Sequence, residues 1–170
     1  MKPVADENNR PRFIVDNNAG KVARWLRIMG FDSVFYRGGP DSGLIERAMA
    51  ERRILLTRDT RIFKRRVITG GAVQAILLKD DDPEKQVQQV IGTLHLGDTG
   101  LAFTRCLDCN VQLIHVTPEE IKDLVPPFVF QIRDVYRQCP GCKRVFWRGS
   151  HRLDMEEKLN QLTSKAGGQN

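Results

Sequence analysis

The chain has 170 residues, room for one ordinary domain and a small appendage, since domains usually run to about 100–150 residues. With 41% hydrophobic and 28% charged residues it has the composition of a globular protein, and no apolar run approaches the ~20 residues that span a bilayer, so a membrane-spanning helix is excluded. Lys and Arg outnumber Asp and Glu by 27 to 21, a net charge of +6 that favours a polyanionic partner, nucleic acid first, through phosphate neutralisation.

Residues 1–12 have no apolar core of the kind a secretory signal needs and read as a flexible leader, which points to the cytoplasm. Phe13 to Val15 is an apolar strand ending at Asp16. From Gly20 to Met29 the spacing of Val22, Leu26 and Met29 predicts a helix, with Lys21, Arg24 and Arg27 on its other faces and Gly30 as its stop. Val34 to Tyr36 predicts a second strand. After the loop Arg37 to Gly43, Asp41 or Ser42 is placed to cap a helix through Leu44, Ile45, Ala48 and Met49. Ile54 to Thr57 is the third strand, followed by Arg58 and Asp59, and Thr60 to Arg66 reads as a short basic helix. Ala72 to Leu78 supplies a fourth strand running into Asp80, Asp81 and Asp82, where Asp82 and Pro83 open a helix carrying the stripe Val87, Val90, Ile91 and Leu94. Strands alternating with helices imply an α/β fold, a small parallel sheet of about four strands sandwiched by helices, with ligands beyond the strand C-termini. Asp16, Asp59 and Asp80 are expected to converge there.

A change of character at Gly97 to Gly100 separates this α/β domain, residues 13–97, from a second module over 101–152, a C-terminal helix over 153–163 and a flexible tail over 164–170. In the second module Thr117, Pro118 and Glu120 carry a capped helix start, flanked by expected strands at Val111 to Val116 and Pro127 to Ile132. Cys106 with Cys109, and Cys139 with Cys142, form two CxxC knuckles, the spacing that closes four thiolates around one structural zinc ion. Two disulfides are the rival reading, opposed by a reducing cytoplasm and by the pairing of the CxxC turns. Four thiolates leave no open coordination position, so catalysis is sought elsewhere, and so small a module should depend on its metal to fold. Arg133, Arg137, Lys143, Arg144, Arg148, His151 and Arg152 gather near the second knuckle with Tyr136, Phe146 and Trp147, the mixture that neutralises phosphates and stacks on unpaired bases. Phe146 reads rather as part of the module's own core, while Trp147 is open between core and stacking.

A cluster of Asp and Glu can hold divalent ions that activate water against a phosphodiester. Asp16 and Asp59, each ending an apolar strand, are the leading candidates; Asp41, Glu46 and Asp80 complete the set, although Asp41 reads equally as a cap and Glu46 as a solvated helix residue. Lys21, Arg24 and Arg58 stand near enough in sequence to meet phosphate, or to neutralise the acidic cluster.

Phe13 to Asp16, Gly20 to Asp32 and Ile54 to Asp59 together resemble the PIN-like ribonuclease domain found at the C-terminus of the Mut-seven exonucleases. Arg105 to Asn110, Cys139 to Lys143 and Phe146 to His151 resemble the zinc ribbon that follows it in that family. The resemblance implies a PIN-like fold with a four-Cys zinc ribbon, Mg²⁺- or Mn²⁺-dependent hydrolysis of RNA, and Asp16, Asp41 and Asp59 as the matching acidic positions. Asn17, Asn18 and Ala19 depart from it where a large apolar pair is usual, and Arg152 stands where an aromatic is common. The expectation is a ribonuclease whose ribbon contributes RNA binding through Lys143, Arg144, Trp147, Arg148 and His151, with RNA, and with it the ribosome or RNA-processing factors, as partners. The alternative is a non-catalytic RNA-binding or ribosome-associated adaptor. A toxin-type nuclease is opposed by the ribbon.

Overall fold

In the computed structural model, which describes residues 10–97 and 100–166, four short parallel strands lie in the order β2-β1-β3-β4. They are β1 (Phe13–Val15), β2 (Ser33–Phe35), β3 (Ile54–Thr57) and β4 (Ala75–Leu77). The central pair is buried throughout, as expected of strands covered on both faces. Helices α1 (Gly20–Ile28) and α5 (Pro83–Leu94) cover one face, where Phe13, Val15 and Leu56 meet Val22, Leu26, Val87 and Val90. Helices α2 (Asp41–Ala50), α3 (Thr60–Phe63) and α4 (Arg66–Thr69) cover the other, where Ile14 and Leu55 meet Leu44, Ile45, Ile62 and Ile68. The two faces follow from alternation along each strand.

The second module is a three-stranded antiparallel sheet, β5 (Ile114–Val116), β6 (Tyr136–Gln138) and β7 (Val145–Trp147), with the short helices α6 (Pro118–Ile121) and α7 (Pro127–Ile132) between its first two strands. Thr117 and Glu120 form the expected capping box on α6. The strand expected at Pro127 to Ile132 is α7 instead: Pro127 sits in its first turn, where a fixed φ suits a helix and the missing N–H costs nothing, and Val129 is the residue it buries. The strand expected at Val111 to Val116 shortens to β5, and the fourth strand to β4. The basic helix expected at Thr60 to Arg66 is split into α3 and α4, and α2 is entered from Pro40, without a side-chain cap from Asp41 or Ser42. Phe146 is half-buried outside the ribbon's core, which is built on Ile121, Val125, Val129 and Tyr136; Trp147, opposite Tyr136, packs against it.

Helix α8 (Ser150–Ala166) leaves the ribbon and returns to the α/β domain, burying Leu162 in the core under α1 and α5 and pairing Lys158 with Glu84. No helix among the described residues is long and apolar enough to cross a membrane. The leader expected over 1–12 lies outside the described residues up to position 9, as do Asp98 and Thr99 at the module boundary and positions 167–170 of the tail. Arg12, by contrast, is held in the fold.

The two modules are joined at the N-terminal edge of the parallel sheet. Arg27, buried at the last turn of α1, donates to the carbonyls of Ser33 (2.9 Å), Leu107 (2.5 Å) and Asp108 (3.2 Å), so one guanidinium closes α1 onto β2 and onto the first CxxC turn. Asn110 accepts from the Ser33 N–H at 3.0 Å and donates to Asp32 at 2.6 Å. Gly30, at φ 91, ends α1 against the carbonyl of Leu101, where any Cβ would collide. Asp32 also takes both arms of buried Arg53, at 2.7 and 3.0 Å, and Arg12 at 3.1 Å.

Replacing Arg27 by Met removes these charged donors and strands the Leu107 and Asp108 carbonyls; the expected loss is about 3 kcal/mol, read as a melting temperature lower by roughly 6–12 °C. Burial raises the Asp32 carboxyl, but the hydrogen bonds from Arg53, Asn110 and Arg12 outweigh it and hold the pKa at about 2. Between that value and the unfolded ~3.9 the native state binds fewer protons, so this contribution is complete above pH ~4 and is lost as pH falls toward 2. Urea midpoints measured across that window should drop with pH in the wild type and drop less in Asp32→Asn.

Candidate active site and metal centre

The C-terminal edge of the sheet is where the strand order reverses between β1 and β3, leaving a crevice at their tips. Asp16 and Asp59 stand on its two sides. Asp16, 7% exposed, accepts from the Asn17 N–H at 2.7 Å on one oxygen and from the Thr57 hydroxyl at 2.8 Å on the other. The same Thr57 oxygen accepts the Asp59 N–H at 3.0 Å, which directs its own hydrogen to Asp16. A single fully buried hydroxyl therefore ties the two strand tips together. Asn17 to Ala19, the departure from the family pattern, form a one-turn 3-10 helix that Asp16 caps.

The remaining acidic residues lie on the same edge or just behind it, and most are already paired. Asp59 caps α3 through the Arg61 N–H at 2.7 Å and meets the Arg61 guanidinium at 2.9 Å; these bonds, the guanidinium's first, pull its pKa down to about 2. Asp41, exposed in the first turn of α2, lies 3.8 Å from Arg65. Asp80 is lowered first by the Asp82 N–H and also by Lys85, 3.3 Å away. Arg58 pairs with Asp81, and Asp82 caps α5. Glu46 is exposed on α2, farther from the edge than Asp41. Of Asp16, Asp41, Asp59 and Asp80, Asp16 alone has no cationic partner among the described residues. The structure thus brings Asp16 and Asp59 together through Thr57, a residue whose only signal in the sequence is a hydroxyl ending an apolar strand just before an acidic residue. It does not draw the carboxylates into a group like that of the cysteines.

The four cysteines are the one such group among the described residues: Cys106, Cys109, Cys139 and Cys142 have sulfurs all within 4.8 Å of one another. The Cys106 and Cys142 sulfurs lie 3.8 Å apart, far beyond a ~2.05 Å disulfide and equal to the edge of a tetrahedron built on ~2.3 Å metal–sulfur bonds. The two turns are built alike. Asn110 and Lys143, each following the second cysteine, adopt positive φ of 61° and 60° and return their N–H to the carbonyl of Cys106 and Cys139, while the Cys109 and Cys142 N–H groups point at the first sulfur of each turn. Hydrogen bonding with the Cys142 side chain pushes the Cys109 thiol up to about 12, whereas the backbone N–H of Arg144 holds Cys142 at about 7. Four converging sulfurs with no cation to hold them repel one another as thiolates; the donor set and spacing fit a metal ion.

This centre lies at the other end of the sheet from Asp16 and Asp59, because Asn110 and Leu107 dock where β2 begins. Of the residues predicted to meet RNA, Lys21, Arg24, Lys143 and His151 are exposed. Arg144 pairs with Asp108, Arg148 with Glu156 at 2.9 Å and Arg58 with Asp81, while Trp147 is half-buried against the ribbon core.

A family model described as the Mut7-C RNAse domain matches residues 11–159. No curated protein and no solved structure gives a match.

Stripping the metal with a thiol-reactive titrant should release one tightly held ion per chain and unfold the ribbon, and Cys106→Ser should purify without it. Metal analysis, with far-UV circular dichroism before and after stripping, checks both.

Proposed function

The chain belongs to the Mut7-C RNAse domain family, and from that membership we propose that it is a ribonuclease cutting RNA at the C-terminal edge of the parallel sheet with Mg²⁺ or Mn²⁺. The observation that carries the proposal is Asp16: a buried carboxylate at the crevice between β1 and β3, accepting only neutral donors and tied through Thr57 to a second carboxylate. A hard divalent cation is the partner such oxygen donors suit, and Asp16 and Asp59 would hold it, with Asp41, Asp80 or Glu46 assisting. When bound, it supplies an activated water and neutralises charge on the phosphate.

Thr57 holds Asp16 in register with β3. Asp59 would be free to hold such a cation on releasing Arg61, whose side chain is 87% exposed; a surface pair of this kind costs little to open, and the freed guanidinium would then be available to a phosphate oxygen. Lys21, one residue into α1 and exposed, offers a second phosphate contact. The four cysteines hold zinc in a structural role, the soft thiolate set being the one that selects it, and the ribbon adds RNA contacts through Lys143, Arg144, Trp147, Arg148 and His151. Reduced thiols suit a cytoplasmic setting.

A second reading, a non-catalytic RNA-binding adaptor, draws on the pairing of Asp59, Asp41 and Asp80 with Arg61, Arg65 and Lys85, which leaves the edge neutralised without any metal. Cleavage of a labelled structured RNA separates the two. Added Mn²⁺ or Mg²⁺ should switch on cutting, Asp16→Asn and Asp59→Asn should lower it by roughly a hundredfold or more, and Thr57→Val, which keeps the shape and removes the hydroxyl, by roughly tenfold, with RNA affinity retained in each. Binding without cutting in the wild type establishes the adaptor.

A further inference from the structure

A cleft of about 580 Å³ opens between α7 and the first turn of α8, floored by β7. Four rings line it, Phe103, Phe128, Phe146 and Trp147, out of the eight Phe, two Trp and two Tyr in the chain. Phe128 is 63% exposed, so this apolar surface is left open to solvent. Around it the arginines outnumber the carboxylates they pair with. Arg152 lies over the Phe103 ring at 4.7 Å, and Arg137 donates to the Phe103 carbonyl at 3.3 Å. Arg148 and Arg152 share a single carboxylate, Glu156, at 2.9 Å each. Arg133 lines the opposite wall. Like charges held this close cost free energy that an anion repays, and open ring faces beside them suit a planar group attached to that anion.

We propose that this cleft seats an unpaired nucleotide of the RNA, its base against Phe128, Phe146 and Trp147 and its phosphates on Arg133 and Arg152. The proposal rests on the ribonuclease reading for the identity of the polyanion and adds where, and in what form, the RNA is gripped. Phe103 donates its N–H to the Ile28 carbonyl at 2.7 Å, which fixes the cleft near the sheet edge opposite Asp16 and Asp59. Strands of three to four residues put the two edges about 10 Å apart, and the ribbon lies beyond. The anchored base and the cut phosphate are therefore several nucleotides apart. On α1, which runs between the two ends, Lys21 and Arg24 are exposed one turn from each other, and Arg27 one turn farther on holds the knuckle.

The test uses the full metal-loaded chain and an RNA hairpin with a single-stranded extension carrying 2-aminopurine, beside the same hairpin with a blunt end. Wild type should quench the 2-aminopurine and bind the extended hairpin about tenfold or more tighter than the blunt one. Phe128→Ala and Arg133→Glu should each remove that preference and leave blunt-end affinity and melting temperature unchanged, since Phe128 is largely exposed. Equal binding of both hairpins by wild type, or an undiminished preference in both variants, overturns the proposal. So does a Phe128-dependent complex with an acidic amphipathic helical peptide alongside unchanged RNA affinity, which would make the cleft a protein-docking groove. A Phe128-dependent quench without any cutting upholds the anchor and sinks the nuclease reading; cutting and binding that neither variant alters do the reverse.

Discussion

The carboxylate of Asp32 is the point on which three separate stretches of the chain close. Arg53 enters from the start of β3 with two parallel hydrogen bonds, Arg12 from just before β1, and Asn110 from the first CxxC turn. Arg53 is almost fully buried and reaches Glu51 as well, so its charge is compensated on both sides. Fork-to-fork geometry of this kind carries direction as well as energy. It sets the starts of β1, β2 and β3 level with one another and, through Asn110, sets the ribbon against them. Removing Asp32 takes from Arg53, the buried charge of the group, one of its two carboxylate partners, which is costlier than never having had the pair.

With the ribbon fastened to the N-terminal edge, the C-terminal edge is left free for chemistry, as in other open parallel sheets. The zinc-type centre and the acidic edge are thus separated by the length of the strands. The ribbon cannot lend ligands to Asp16 or Asp59, and its contribution to function has to come through what it holds. Helix α8 reinforces the arrangement: it starts beside Phe103 and by Lys158 has come alongside the first turn of α5, strapping the ribbon to the α/β core through Leu159 and Leu162. Metal bound by the cysteines is consequently linked to the α/β domain through Arg27, Asn110 and α8.

A net charge of +6 suggests a uniformly basic surface, and the molecule is otherwise. On the acidic edge, Arg58, Arg61, Arg65 and Lys85 are spent on carboxylates. Arg27 and Arg53 are buried in the frame. The excess positive charge collects on the outer face of α1 and around the ribbon's aromatic cleft, where Arg148 and Arg152 share Glu156 between them. Charge becomes informative only when sorted by what each group faces.

Much of the architecture was legible because it depends on local periodicity. Apolar runs of period two and helices of period 3.6 specified the alternation of strands and helices, and an acidic residue after an apolar strand marked Asp16 and Asp59. The cysteines were equally readable, since two CxxC turns and one tetrahedral ion leave little choice of arrangement. Short-range composition misled at Pro127 to Ile132, where β-branched and aromatic residues mimic a strand but two consecutive prolines start a helix. It misled again at Phe146 and left Trp147 open, since either can face the core and only the pairing of β6 with β7 decides which one does. The sequence by itself determined the fold class, the metal centre and which acidic residues end strands. Only the tertiary structure decided that Thr57 joins Asp16 to Asp59, that Arg27 and Asp32 are frame residues, and that the ribbon sits opposite the acidic edge, because each depends on groups distant in the chain being brought within a hydrogen bond's length.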